Sequence, residues 1–223
     1  HIKENGAMNY EISQEVEFGN KNYEITDDIT IKDDKKRRRS MFLNTTLAVV
    51  LFIASVVLGF FSIQWIHLPM CFPVTVWTFL ILIGGYIAYM FVHELIRGLV
   101  YILPGGPGSG NLLFGVVLKQ GLVYCVSKVP VKLRRVRTAL LVPFFITFVP
   151  LYALGLYFGN IVYIIGAALS LTVSVADFYY IHMLRKHKGS MYLLEDIPNG
   201  QEPSGYILKE IVSVETLEKD NEE

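Results

Sequence analysis

Four ionisable residues lie where the chain is otherwise almost wholly apolar: His93, Glu94 and Arg97 in one run, and Asp177 in another. Charged groups inside a membrane-length helix are costly, and those that occur face a cavity or one another. His93 and Arg97 are four residues apart and share a helix face, and Glu94 can reach Arg97 at i+3. If Asp177 meets that face, an imidazole and two carboxylates stand together, as a metal site needs. A plainer reading stands beside this one. A His-Glu pair on a helix is common in itself, and a buried aspartate can be a structural carboxylate hydrogen-bonded to Ser or Thr.

The elements that must position these groups follow from hydropathy. The chain has 223 residues, 52% of them hydrophobic, with a mean hydropathy of +0.43. Residues 1–40 and 185–223 are polar; between them lie apolar runs of the length a helix needs to cross a bilayer, about 20 residues. The expected spans are Met41–Ile63, Val74–Leu103, Thr138–Phe158 and Ile161–Leu184. Basic clusters stand before span 1 (Lys35 to Arg39), between spans 2 and 3 (Lys128 to Arg137) and after span 4 (Arg185, Lys186, Lys188), whereas 64–73 and 159–160 carry no Lys or Arg. Four spans place every basic cluster on the cytoplasmic side, with both termini there. Formal net charge is zero, and a basic run directly before a span reads as a topological anchor, so the expected partner is the lipid bilayer and no nucleic acid. Met8 reads as a natural start, with His1 to Ala7 a leader ahead of it.

Shorter elements fill the rest. Residues 9–33 read as a hairpin turning near Gly19-Asn20. Pro104–Asn111 (PGGPGSGN) ends span 2, and it is no phosphate loop because it lacks the Lys-Ser/Thr ending and a preceding strand. Residues 112–127 are too short for two spans and read as a β-hairpin at the membrane edge, about Lys119-Gln120-Gly121. The tail holds a hairpin about Pro198-Asn199-Gly200. The expected fold is thus an all-α polytopic membrane protein: four transmembrane helices, a membrane-edge β-hairpin and small hairpin-containing cytoplasmic tails. Its divisions are an N-terminal segment (1–40), a membrane domain (41–184) and a C-terminal tail (185–223).

Depth gives a check independent of motif. His93 lies nine residues before Ile102, about 14 Å along a helix, and Asp177 lies seven before Leu184, about 10 Å. Both spans run outside to inside, so the two groups sit within about one turn in depth, nearer the cytoplasm. Other residues have simpler readings. Cys71 and Cys125, at opposite ends of span 2, are not expected to bridge. His67 reads as interfacial, His182 and His187 as headgroup contacts, and Tyr124, Tyr179 and Tyr180 as an interfacial belt. Gly84-Gly85 and Gly166 read as sites of close helix packing, and Pro143 and Pro150 as kinks in span 3.

Residues 92–98, VHELIRG, resemble the HExxH helix of zincins, extended as HELxHG. The order around them resembles the DUF3267 zincin peptidases, a membrane group similar to site-2-protease-type intramembrane proteases. HELIRG comes late in one span, then a Gly-rich break and an apolar hairpin, TALLVPFF opening the next span, an Asp late in the last, and the EDIPNGQEPSGYILK tail. The resemblance covers roughly residues 75–210. It implies a zinc site in a bacterial cell membrane: His93 and Asp177 as metal ligands, Glu94 as the catalytic general base, and peptide or membrane-protein substrates cut near the cytoplasmic face.

The chain departs from that motif at its centre. The second histidine belongs at position 97, and Arg97 stands there; a guanidinium offers no lone pair to a metal. The departure fits a natural non-catalytic relative, an engineered inactive variant, or a site completed by another histidine. His182 is the nearest spare, but it lies about 140° round the helix from Asp177. Arg97 is expected to pair with Glu94 or Asp177, a planar fork taking the place of the cation. Two functions follow: a membrane-embedded zinc metallopeptidase, impaired at Arg97, or a non-catalytic interaction or sensor protein on the same fold. In the first, the 112–127 hairpin guides an extended substrate by strand addition. A transporter fits less well, since the spans show no inverted repeat.

Overall fold

The computed structural model describes residues 15–18, 21–30, 34–66, 75–117, 122–196 and 205–211. Four helices dominate it: α1 (Asp34–Trp65), α2 (Val76–Ile102), α3 (Leu133–Phe158) and α4 (Ile161–Leu184). Each is long and apolar enough to cross a membrane. Their outer faces expose Phe42, Ile53, Trp77, Ile81, Leu99 and Phe145, an apolar surface far beyond what a water-soluble domain leaves open. Helix α4 is the central one, with buried positions along its whole length, whereas the buried residues of α2 are confined to its last ten, from His93 to Tyr101.

Helices α2 and α4 keep the expected bounds to within two residues, but α1 and α3 begin about a turn or more earlier than their apolar runs. The basic residues there are good helix formers and extend the helix. In α3 they also cap other helices. Arg135 donates to Val100 O, Leu103 O and Pro104 O at the end of α2, and Arg137 to Leu184 O and His187 O at the end of α4. Cations thus meet the carbonyl ends of two helices, where the dipole favours them. The α3–α4 turn uses Gly159 in the left-handed conformation, φ 61°, followed by Asn160, whose side chain accepts from Val162 N.

Close helix packing falls on other glycines than expected. A Cβ on Gly59 or Gly155 would stand 2.5 or 2.6 Å from the Ile164 side chain, so α1 and α3 both close on α4 there. Gly84 and Gly85 face open space instead, on the part of α2 that has no fully buried residue. Gly166 makes ordinary contact with Leu151.

The all-α description is corrected by the strands. β1 (Glu15–Phe18), β2 (Lys21–Asp28), β5 (Val131–Lys132), β6 (Tyr192–Glu195) and β7 (Gly205–Ile211) form one antiparallel sheet, ordered β1-β2-β7-β6-β5. Both the 15–28 and 192–211 hairpins form, but they join through β2 and β7, pairing Ile25 with Leu208. Period-2 alternation explains the union. Leu193 and Ile207 face the helices with Ile29, Leu133, Val136 and Leu184, while Tyr23, Tyr192 and Leu208 cluster on the opposite face. β3 (Leu112–Val117) and β4 (Leu122–Ser127) form the expected separate hairpin. The turns of all three hairpins lie outside the described residues, as do His67, Cys71 and residues 1–8.

Two further readings change. Tyr180 is buried in the core and is no interfacial residue. His187 faces the sheet, 3.3 Å from Asp27 Oδ2, because the chain turns back after α4 toward β2. His182 is exposed.

On the sheet, Glu210 is held by Lys21 and accepts from Tyr192 Oη at 2.8 Å. The Lys21 bond, then the Tyr192 bond, hold its carboxyl below the usual 4.5, against burial. A carboxylate with a depressed folded pKa contributes stability above its unfolded value and loses it as pH falls through the folded one. Sheet stability should therefore decline below about pH 4.5, and Glu210→Gln should remove that part of the acid sensitivity. Amide exchange at β7 across pH 3–6 checks it; an unchanged acid profile in the variant would contradict the pair's role.

Candidate functional site

The site is built on the last turns of α2. Tyr89, His93, Arg97 and Tyr101 recur every four residues and form one stripe. On α4, Ser170, Ser174 and Asp177 form a facing stripe, all buried. Where the stripes meet, His93 Nε2 lies 2.7 Å from Asp177 Oδ2, with His93 only 1% exposed. The meeting of the second and fourth helices expected from depth alone is present.

The other imidazole nitrogen is held as well. Tyr89 Oη lies 3.0 Å from His93 Nδ1 and 3.0 Å from Thr147 Oγ1, and the Thr147 hydroxyl donates to Pro143 O at 2.7 Å. Thr147 has spent its one proton, so Tyr89 donates to Thr147 and His93 Nδ1–H donates to Tyr89. A proton shared between His93 Nε2 and Asp177 Oδ2 occupies the line a metal would take.

Arg97 does not turn to Asp177. Its Nη2 donates to Glu195 Oε1 at 2.9 Å, and its Nη1 lies 3.8 Å from Glu94 Oε2. Glu195 comes from β6 and was not foreseen. It also accepts from Tyr101 Oη at 3.1 Å and, through Oε2, from Ser127 N at 3.0 Å. Glu94 Oε2 accepts from Cys125 N at 2.8 Å. The two glutamates thus satisfy consecutive outward N–H groups of β4, about 7 Å apart by strand geometry, and Arg97 lies against both. The one signal for Glu195 is its position in YLLE, where alternation puts an acid on the buried face beside Leu193. Tyr89 and Tyr101, four residues from His93 and Arg97, were legible as stripe members but not as partners.

Gly98 lets the hairpin reach this helix: a Cβ there would stand 2.5 Å from the Phe114 ring and 3.3 Å from Cys125 Sγ. Burial pushes the Cys125 thiol up to about 12, with Arg97 opposing. It stays protonated at neutral pH and is a poor nucleophile.

The hydrogen-bond phase of the hairpin sets which edges are open. Lys128 N donates to Asn111 O, and the register pairs Leu112 with Ser127. Hydrogen-bonded and non-hydrogen-bonded pairs alternate, so Phe114 and Val116 on β3 point their N–H and C=O groups away from β4, whereas the Leu112 N–H is taken by Ser109 O. The outer edge of β4 is closed by Glu94 and Glu195; that of β3 has no strand partner among the described residues.

The residues present do not fit the zinc that the zincin resemblance implies. Two of the three donors, His93 and Asp177, are bonded to each other, and the third position holds a guanidinium whose buried Nε–H has no acceptor among the described residues. Among the described residues no group of three His, Cys, Asp or Glu is placed to hold a metal ion.

A comparison with family models matches DUF3267, described as "Putative zincin peptidase", over residues 86–192, just under half of the chain. No curated protein and no solved structure matches. The matched stretch begins before Tyr89 and holds His93, Glu94, Arg97, the β3–β4 hairpin and Asp177, but stops short of Glu195. Residues 86–192 of this chain, and with them the whole His93–Asp177 meeting, are thus similar to DUF3267, a family described as putative zincin peptidases.

Proposed function

We propose that the chain is a four-span membrane protein, both ends cytoplasmic, that keeps a zincin-type peptidase fold as a non-catalytic interaction protein. Its ligand is an extended, uncharged segment of a membrane-protein partner, taken up along the outer edge of β3. The observation that carries this reading is the closed ion pair of Arg97 with Glu195, at the position of the second HExxH histidine. Two features support it. Residues Leu112 to Val117 carry no charge, proline or bulge, the usual protections of a free strand edge, and in an apolar setting open N–H groups favour a strand partner. A strand added there also lies on the far side of β3 and β4 from Glu94, so binding and cleavage do not coincide.

A second reading, a site-2-protease-type hydrolase, is favoured by the contact of His93 with Asp177. One experiment separates the two. The purified protein is analysed for metal and tested for capture of a fluorescent uncharged peptide in detergent. The non-catalytic reading expects no stoichiometric zinc, and binding that Val116→Pro weakens about tenfold, since proline removes one outward donor and leaves the β3–β4 ladder intact. One equivalent of zinc, with peptide turnover, would defeat it.

A further inference from the structure

The helix ends beside the sheet carry more cations than the fold employs. Arg135 and Arg137 are taken up by helix-end carbonyls, and Lys132 lies over the Tyr192 ring. Arg134, Arg185, Lys186 and Lys188 remain, all exposed. None of the four makes an ion pair among the described residues.

Backbone contacts bring these four together. Leu133 N donates to Met191 O at 2.8 Å and Arg134 N to Gly189 O at 3.2 Å, so the first turn of α3 lies against the segment that leaves α4. A Cβ on Gly189 would stand 3.6 Å from Arg134 Cβ, which puts Arg134 beside Lys188. Arg185 and Lys186 follow directly on Leu184, the last residue of α4. All four therefore collar one end of two membrane-length helices, within about a turn of where the apolar surface begins. Four like charges in one patch repel one another unless an anion sits among them, and the polar rim of a bilayer supplies phosphodiesters at that depth.

We propose that Arg134, Arg185, Lys186 and Lys188 form a headgroup site for an anionic phospholipid at the sheet-side rim of the bundle. Guanidinium and ammonium groups divide the work: Arg134 and Arg185 offer planar forks to phosphate oxygens, and the lysines act as point charges. The site is independent of Arg97 and of any peptide bound at β3, but it rests on the membrane-spanning reading above.

The test uses full-length protein in nanodiscs made from equal parts of phosphatidylglycerol and phosphatidylcholine, with the retained lipid counted by native mass spectrometry. Each cation at the surface favours an anionic headgroup by about fivefold, so wild type should retain phosphatidylglycerol at least about fivefold over phosphatidylcholine. Arg134→Gln/Lys186→Gln/Lys188→Gln should abolish the preference, and Lys128→Gln/Lys209→Gln, cations elsewhere, should keep it. The single variants Arg134→Gln and Lys188→Gln should each lower it, which guards against misfolding of the triple variant. No enrichment in wild type, or an undiminished preference in the triple variant, overturns the proposal. Equal retention of free glycerol phosphate in phosphatidylcholine nanodiscs overturns it in favour of a soluble-phosphate site. Failure of the protein to enter nanodiscs at all counts against the membrane reading instead.

Discussion

Arg97→His protein should take up about one equivalent of zinc where the parent chain takes none, since three protein donors meet the minimum for a bound zinc. The substitution removes the guanidinium and places a second imidazole one helical turn from His93, on the face that already meets Asp177. It also releases Glu195 from its partner, so a divalent cation would restore the lost positive charge beside Glu94, Asp177 and Glu195. Metal analysis after dialysis against a weak chelator reads the result. Adding Asp177→Ala to Arg97→His should abolish uptake, because two donors remain. Tyr89→Phe should weaken it about 10-fold or more, the usual effect of losing the group that orients a ligating imidazole. If Arg97→His binds no metal while remaining folded, Asp177 is not a ligand in waiting and its bond to His93 is structural.

Glu195→Ala should be among the most destabilising single changes outside the helix–helix contacts. Arg97, at 8% exposure, would keep its charge with only the 3.8 Å contact to Glu94 as compensation, and Tyr101 Oη and Ser127 N would both lose their acceptor. Breaking a buried pair by removing one partner costs about 3–5 kcal/mol, a large share of a typical stability of about 5–15 kcal/mol. Glu195→Gln keeps the shape and two acceptor sites on its carbonyl oxygen, and should cost clearly less. The double change Arg97→Met/Glu195→Gln should recover much of the loss, because no charge is then stranded between Glu94 and the sheet. Unfolding in detergent, followed by near-UV circular dichroism, gives the coupling. Additive losses in the double variant would show that Arg97 and Glu195 do not act as a pair.

The ion pair has a structural consequence that a metal in the same place would not have. Zinc bound by α2 and α4 would tie two membrane helices together. Arg97 instead ties α2 to β6, so the membrane site is closed by the sheet. That sheet draws strands from both ends of the chain, through β2 and β7.

What could be read without coordinates were the features that depend on local physics. Apolar runs of membrane length, basic clusters in alternate connections and glycine or proline breaks placed all four helices, because the cost of burying backbone and charge in hydrocarbon acts residue by residue. Rise per residue alone put His93 and Asp177 at one depth, and they touch. Alternating strands with turn signals placed the three hairpins. The tertiary structure decided which distant segments join and which acid a buried cation takes. The N- and C-terminal hairpins merge because each has one apolar face, and hydropathy does not say against which partner a face is buried. Glu195 claims Arg97 although Glu94 and Asp177 are closer in helix geometry, because β6 delivers a carboxylate whose remaining lone pairs are met by Tyr101 and Ser127. A buried charge settles where the most donors and acceptors are met together, and that sum is set by the fold as a whole.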